Sequence, residues 1–362
     1  MNEYRIAVIP GDGVGPEVSD EATRIGEAAA KKYGFGFAFD TFDWSCDRYL
    51  ERGEMMPDDA LDTLRAYDAI FLGCIGDANK VPDHISLQML LRIRKGFDQY
   101  ANLRPIKLYP GVPTPVTTAT PETLDILVVR ENTEGEYSSV GGIFKEGTPD
   151  GIALQTGVFT HKGCERVIRY AFDQARNRAK LGSGDVVGRV TNCSKSNALN
   201  YSMVFWDSVY DEVAADYPDI ATDFALVDAL TMWFVKNPDY FDVVVASNLF
   251  GDIITDLGAM LQGGMGFAAG GNVNPERTYP SMFEPIHGSA PKYTGQGRVN
   301  PIASIEATRM MLEHVGEAEA AGGIEQAVAT TLAAGEVRTR DIGGSSTTAE
   351  VGSAVAENLL SS

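Results

Sequence analysis

Cysteine is scarce in this chain: Cys46, Cys74, Cys164 and Cys193 are scattered through 362 residues. They show neither C-x-x-C spacing nor the density of a disulfide framework, so free thiols in a reducing cytoplasm are the simplest reading. Long apolar runs are also missing, and no stretch is long enough to span a membrane. The start, Met1-Asn2-Glu3-Tyr4-Arg5, runs directly into a strand and has no signal-peptide h-region. Positive charge is in deficit, with 30 Lys and Arg against 50 Asp and Glu, a formal net charge of −20. That balance argues against nucleic acid or an anionic membrane as partner. An anionic substrate would need a local basic pocket to hold it against the overall field. The acids are spread rather than gathered in a tail, which suits an acidic cytosolic enzyme, with a salt-adapted host as the other explanation. Internal repeats and low-complexity linkers are absent too.

What is present is enough chain for two domains, with an ordinary hydrophobic fraction of 44% to build their cores. Residues 5–9 read as a strand, followed by the turn Pro10-Gly11-Asp12-Gly13-Val14-Gly15-Pro16 and an amphipathic helix to about Tyr33. A strand near 35–42, a helix near 58–66, a strand at 69–72 and a helix at about 86–98 continue the α/β alternation. The middle third reads as strands at 124–130, 152–160, 185–190 and 241–246, with helices at 163–178 and 201–217. After residue 250 helices dominate. The shift in character fits a second domain inserted between about residues 100 and 250.

The segment from Ser247 to Gly258 follows the apolar run Val243-Val244-Val245-Ala246 and opens with helical spacing. Asp252 and Asp256 lie four apart, on one helix face. Two carboxylates there repel unless a cation lies between them, and hard oxygen ligands without Cys or His suit Mg²⁺ or Mn²⁺. Acids near a helix N-terminus also suit the helix dipole, so the pair alone leaves both readings open. Asp228, after Leu226-Val227, is either a third ligand or a helix N-cap. Arg94, Arg104 and Arg130 are candidates to clamp two carboxylates by bidentate pairing. Singly, each is an ordinary surface arginine. Tyr137 is a candidate proton donor or a packed phenol. Lys195 is a solvated lysine, or a general base if a cation and arginines lower its pKa. The glycine turn after the first strand is a poor dinucleotide fingerprint. Its third glycine comes one residue early, and Pro16 and Glu17 occupy the helix start.

Taken together, six motifs resemble the metal-dependent β-decarboxylating dehydrogenases, the isocitrate and 3-isopropylmalate dehydrogenase family. They are Ile9–Glu17, Val81-Pro-Asp-His-Ile-Ser-Leu87, Phe97–Pro105, Val129–Ser138, Ser247–Gly258 and Phe283-Glu-Pro-Ile-His-Gly-Ser-Ala-Pro291. The resemblance covers essentially the full length, and the Pro-Asp-His-Ile-Ser-Leu element points to the tartrate dehydrogenase/D-malate dehydrogenase (decarboxylating) branch. It implies an isopropylmalate dehydrogenase-like two-domain αβα fold, not a Rossmann fold. Residues 1–100 plus 250–362 would form a large cofactor-binding domain, and 101–249 a small dimerisation and substrate domain.

By the same resemblance, Arg94, Arg104 and Arg130 bind the substrate carboxylates. Asp252 and Asp256 bind Mg²⁺ or Mn²⁺ with Asp228 of the partner subunit. Lys195, also from the partner, assists deprotonation of the 2-hydroxyl, and Tyr137 protonates the enol left after CO₂ loss. The minimal active unit is then a homodimer with shared sites. The dinucleotide is held by the loop His287-Gly288-Ser289-Ala290-Pro291 and by Asn300. The reaction is oxidative decarboxylation of a (2R)-2-hydroxy dicarboxylic acid, D-malate to pyruvate first, with tartrate as a side substrate. Alternatives are a 3-isopropylmalate dehydrogenase and, from another class, a non-catalytic regulatory subunit. The regulatory reading fits poorly, since the lysine, the tyrosine and the metal acids are all kept.

The chain departs from the family pattern twice. NAD-dependent members resemble His-Gly-Ser-Ala-Pro-Asp, where the Asp binds ribose hydroxyls. Here that position is Lys292, followed by Tyr293. A cation at a ribose 2′ site favours a 2′-phosphate, so NADP⁺ is expected over NAD⁺, with Arg340 as a further candidate contact. The segment Ser86–Leu91 carries no serine where isocitrate-specific members hold the extra carboxylate, which disfavours isocitrate. Leu90 and Leu91 suit an isopropyl group, which keeps 3-isopropylmalate open.

Overall fold

The computed structural model describes residues 2–182 and 184–361. From the N-terminus, β1 (Glu3–Gly11), α1 (Gly15–Tyr33), β2 (Gly36–Thr41), α2 (Cys46–Arg52), α3 (Ala60–Leu64), β3 (Ala69–Cys74) and α4 (Asp83–Gly96) alternate. The middle of the chain forms β4 (Ala101–Lys107), β5 (Asp125–Glu131), β6 (Gly135–Phe144), β7 (Ile152–Val158), α5 (His161–Arg178), β8 (Gly188–Ser194) and α6 (Ser202–Ala214). It continues with β9 (Ile220–Leu226), α7 (Val227–Lys236), β10 (Val243–Ala246) and α8 (Asn248–Leu261). The last third holds β11 (Ala269–Val273), β12 (Ser281–Pro285), α9 (Ile302–Val315), α10 (Ala318–Ala334) and α11 (Thr348–Ser361).

The chain divides into two compact units. One comprises residues 1–99, 107–122 and 259–362, and the other 100–106 and 123–258. The boundaries expected from sequence differ in two places. The proline-rich stretch 107–122 belongs to the first unit, where Thr114 Oγ1 donates to the Leu261 carbonyl at 2.7 Å. The α8 residues up to Gly258 belong to the second unit, where Gly258 lies so close to Ile106 that an added Cβ would sit 2.2 Å from its Cδ1.

In the first unit β1 pairs in parallel with β2 and β3, and β12 in parallel with β3. Helix α1 forms because Pro16 pre-sets the first turn, Val18, Ala22, Ile25 and Ala29 fall on one buried face, and Gly34 (φ 80) closes the end in the left-handed region. The strand pair β11–β12 falls where the sequence pattern suggests helices. Ala269-Gly-Gly-Asn-Val has little strand propensity, but a Cβ on Gly271 would sit 3.0 Å from the Phe283 ring. Close approach of an aromatic ring decides that strand.

In the second unit β10 lies between β5 and β8, all parallel, with β9 beyond β8. Val243 to Ala246 are wholly buried, as expected of a parallel strand covered on both faces. Helix α5 buries Cys164, Val167, Ile168, Ala171, Phe172 and Ala175 in a core shared with Trp206 and Tyr210 of α6. The antiparallel pair β6–β7, broken by a register shift between Gly135 and Val140, stands exposed over most of its length.

Candidate active site

The second unit gathers the predicted acids and two of the arginines. Arg130 lies near the end of β5 and is 2% exposed. Its Nη1 donates to Asp252 Oδ1 at 2.6 Å, its Nε to the Asn248 carbonyl and its Nη2 to Asn248 Oδ1, both at 2.8 Å. Gly251 makes this approach possible, because a Cβ there would lie 2.5 Å from Arg130 Cγ. Tyr137 on β6 donates from its hydroxyl to Asp252 Oδ2 at 3.2 Å, and its ring lies 5.7 Å from the Arg130 guanidinium. Arg104 on β4 donates from Nε to Asn102 Oδ1 at 2.7 Å and from Nη1 to Thr255 Oγ1 at 3.4 Å. Its Nη2 stands 3.9 Å from Asp252 Oδ1.

Asp256, one turn along α8, has its pKa raised by desolvation and by the charge of Asp252, against the opposing pull of Arg104 and Arg130. Two carboxylates that resist joint ionisation, made of hard oxygen donors, fit a divalent cation. Among the described residues no three His, Cys, Asp or Glu side chains converge on one point, so Asp228 does not complete a set with this pair inside one chain. Asp228 instead accepts from Lys195 Nζ at 2.7 Å, and that bond holds its pKa below the usual carboxylate range.

Sequence reasoning missed the residues that hold this cluster in place. Glu131 accepts from the backbone N–H groups of Thr133 and Glu134, at 2.7 and 2.9 Å. Asn248 donates to the Glu134 carbonyl at 3.1 Å. Both lie inside quoted motifs, but nothing in their spacing marks which polar side chain faces which.

Arg94 and Leu90 belong to α4 of the first unit. Arg94 Nη2 donates to Glu284 Oε1 at 2.8 Å, both side chains being buried, and its Nε is buried without a partner. Leu90 packs, half-buried, against the core formed around Met89, Ile93 and Phe97.

The predicted cofactor loop also lies in the first unit. The glycine turn cradles it: Val14 N–H donates to the Ser289 carbonyl at 2.8 Å, and a Cβ on Gly13 (φ 61) would fall 2.0 Å from that oxygen. Asp12 does not face a phosphate. Its carboxylate accepts the Cys46 and Gly76 N–H groups, both at 2.8 Å. Glu17 accepts the N–H groups of Gly295 and Gly297, which explains an acid at that helix start. Ser289 donates to the Gly76 carbonyl, and Ala290 sits in the left-handed region at φ 40.

A cleft of about 740 Å³ opens beside this loop, lined among others by Val14, His287, Gly288, Ala290, Tyr293, Arg298, Asn300 and Arg340. Burial lowers the His287 pKa, and its Nε2 has no partner. Asn300 Nδ2 donates to Asp341 Oδ2 at 3.0 Å. Lys292 lies outside the lining, with Nζ 4.7 Å from the centre of the Tyr293 ring. Arg298, which carries no signal in the sequence, approaches the same ring at 4.5 Å. Lys292 and then Arg298 lower the Tyr293 pKa.

The isocitrate/isopropylmalate dehydrogenase family matches residues 5–355. The chain belongs to that family. The dehydrogenase is 46% identical over 367 residues to the D-malate dehydrogenase [decarboxylating] of Escherichia coli (strain K12), covering 99% of each chain. It is equally 46% identical over 355 residues to the 3-isopropylmalate dehydrogenase of Thermobifida fusca (strain YX), covering 98% of this chain and 97% of that one. Among solved structures, the isocitrate dehydrogenase from Methylococcus capsulatus matches at TM-score 0.87 and 36% identity over 99% of both chains. Members of this dehydrogenase family use a divalent metal and NAD(P). No helix among the described residues is long and apolar enough to cross a membrane.

Proposed function

We propose that this dehydrogenase oxidatively decarboxylates D-malate to pyruvate and CO₂ with NADP⁺, taking tartrate as a side substrate. The observation that carries the reading is the cluster on Asp252. One carboxylate binds a buried arginine through one oxygen and a tyrosine hydroxyl through the other, beside a second carboxylate whose ionisation it opposes. Asp252 and Asp256 would hold Mg²⁺ or Mn²⁺, with Asp228 supplied by a second copy of the chain. A bound cation contributes Lewis acidity that lowers the pKa of the 2-hydroxyl.

Arg104 and Arg130 meet substrate carboxylate, as does Arg94, whose orphaned Nε is a donor awaiting an acceptor. Lys195 of that second copy, held by its own Asp228, assists deprotonation of the 2-hydroxyl. A bound dinucleotide would supply the hydride acceptor for C2, and once the far carboxylate is lost as CO₂ Tyr137 delivers a proton to the resulting enol carbon. The dinucleotide lies against His287, Gly288, Ser289, Ala290 and Asn300. Lys292, Arg298 and Arg340 supply the positive field that a ribose 2′-phosphate needs, with the Tyr293 ring beside Lys292 and Arg298.

A homodimer is supported by exposed apolar side chains on the second unit: Ile143 and Phe144 of β6, Ile152 of β7, and Met232 and Trp233 of α7. A cytoplasmic location follows the same reading. The runner-up, 3-isopropylmalate, rests on the Thermobifida relative, but Leu90 packs into its own unit's core, which weighs toward the smaller acid.

The test is reduced-nicotinamide formation with Mn²⁺, comparing D-malate, tartrate and 3-isopropylmalate, each with NADP⁺ and NAD⁺. D-malate with NADP⁺ should give the highest kcat/KM. Activity confined to 3-isopropylmalate overturns the substrate, and turnover only with NAD⁺ overturns the cofactor.

A further inference from the structure

Most arginines of this acidic chain are paired with carboxylates or backbone carbonyls. Among the described residues, the guanidinium groups of Arg65, Arg277, Arg298, Arg338 and Arg340 have neither kind of partner. Arg298 and Arg340 line the cofactor cleft, where an anion is expected. Arg65 and Arg277 line one other cleft, of about 280 Å³, with Tyr4, Tyr67, Thr278 and His314.

This second cleft lies at the opposite end of the first unit's strands from the cofactor loop. Tyr4 begins β1, Asp68 precedes β3 and Pro280 precedes β12, whereas Gly11, Cys74 and Pro285 end those strands on the cofactor side. One acid, Asp68, also lines the cleft, and its Oδ2 accepts the Arg5 N–H at 2.7 Å. Glu317 accepts the Tyr4 hydroxyl at 2.8 Å, and Asp40 accepts the Tyr67 hydroxyl at 2.8 Å. Arg65 rests 5.0 Å from the Tyr279 ring centre, a position that holds its plane without neutralising it. Arg277 sits at φ 55 in a turn clamped by buried Asn274, which accepts the Thr278 N–H at 2.8 Å and its hydroxyl at 3.0 Å. The turn therefore presents its cation from a constrained backbone. His314 is kept neutral by burial and then by the charge of Arg277, its pKa lowered to about 4, so Arg277 is close enough to be felt at this wall of the cleft.

We propose that this cleft is a second anion site, in which Arg65 and Arg277 together bind a small dianion of the phosphate or dicarboxylate type. Two guanidinium groups on separate loops match two anionic edges, and such pairing is stronger than either hydrogen bond alone.

The test is isothermal titration calorimetry with inorganic phosphate in one arm and malonate in the other. It uses wild-type protein, Arg65→Gln/Arg277→Gln and Arg298→Gln/Arg340→Gln, each checked for fold by circular dichroism and for basal turnover. At least one anion should bind the wild type and the cofactor-cleft variant alike, and lose about tenfold or more in affinity in Arg65→Gln/Arg277→Gln with basal turnover kept. The arm that shows this loss identifies the source of the dianion. Equal binding by wild type and Arg65→Gln/Arg277→Gln, loss only in the cofactor-cleft variant, or no saturable heat in either arm overturns the site.

Discussion

The Asp252 cluster of the second unit and the cleft beside the Ser289 loop of the first handle charge in opposite ways. In the second unit Arg130 is buried and paired, with Asp252 on one side and Asn248 on the other. In the first unit the cations around the cofactor cleft touch aromatic rings rather than carboxylates. A buried ion must be paired before any ligand arrives, since an uncompensated buried charge costs several kcal/mol. An exposed cation carries no such penalty and stays available to whatever anion arrives. The proposed function thus places chemistry on groups held rigid by one another, and cofactor choice on groups that are free to answer the ligand.

The sharpest way to break this contrast is Asp252→Asn, which strips Arg130 of the carboxylate charge it pairs with and removes a proposed metal ligand together. We expect kcat to fall by at least about 10³-fold, on the scale of losing a principal electrostatic element. Mn²⁺ binding followed by electron paramagnetic resonance should weaken in parallel, and unchanged binding would remove Asp252 from the metal site.

In the first unit, Lys292→Asp should act on preference alone. The NADP⁺/NAD⁺ ratio of kcat/KM should drop by about 10- to 100-fold, the worth of one charge-assisted hydrogen bond, with kcat for the better cofactor within a few-fold of wild type. A ratio that does not move would mean that Lys292 stays in solvent and that Arg298 and Arg340 carry the discrimination.

Gly251→Ala probes the packing beneath the charges. A methyl group 2.5 Å from Arg130 Cγ cannot be accommodated without a shift of α8. Overpacking of this kind costs about 1–3 kcal/mol, read as a lowered midpoint in urea unfolding, whereas Ala at Gly322, which faces open space, should not lower it.

The smallest expected effect is one of pH. Because the folded-state pKa of Asp256 is raised, native protein binds more protons than unfolded protein through this group. Its contribution to metal-free stability is present below the ordinary carboxylate value and is lost as pH rises through the raised one. Mn²⁺ needs the ionised form. The thermal stabilisation by Mn²⁺ should therefore grow as pH rises through that window, and Asp256→Asn should flatten the trend.

Much of this is legible in the chain. Val243 to Ala246 read as a buried strand from their side chains alone, and the four-residue spacing of Asp252 and Asp256 by itself puts both on one helix face. Helices α1 and α5 announce themselves by their apolar periodicity. Strand β11 does not, because glycines carry no pattern and only the Phe283 ring explains them. The spacing of the glycine turn separates it from a dinucleotide fingerprint, but its real task, seating the Ser289 loop, joins residues from opposite ends of the chain. Arg298 has no sequence signal, since an arginine's partner is set by what surrounds it.

Residue chemistry and local spacing, then, determined strands such as β1, β3, β5 and β10, most of the long helices, the acid pair and the family, because these depend on neighbours within a few positions. The tertiary structure alone decided that Arg130 is committed to Asp252 and Asn248 while Arg298 and Arg340 hold no carboxylate. It also turned Glu17 and Asp12 inward to bind backbone. The reason is physical: a charge's role depends on its burial and its counter-charge, and both are supplied by segments distant in the chain.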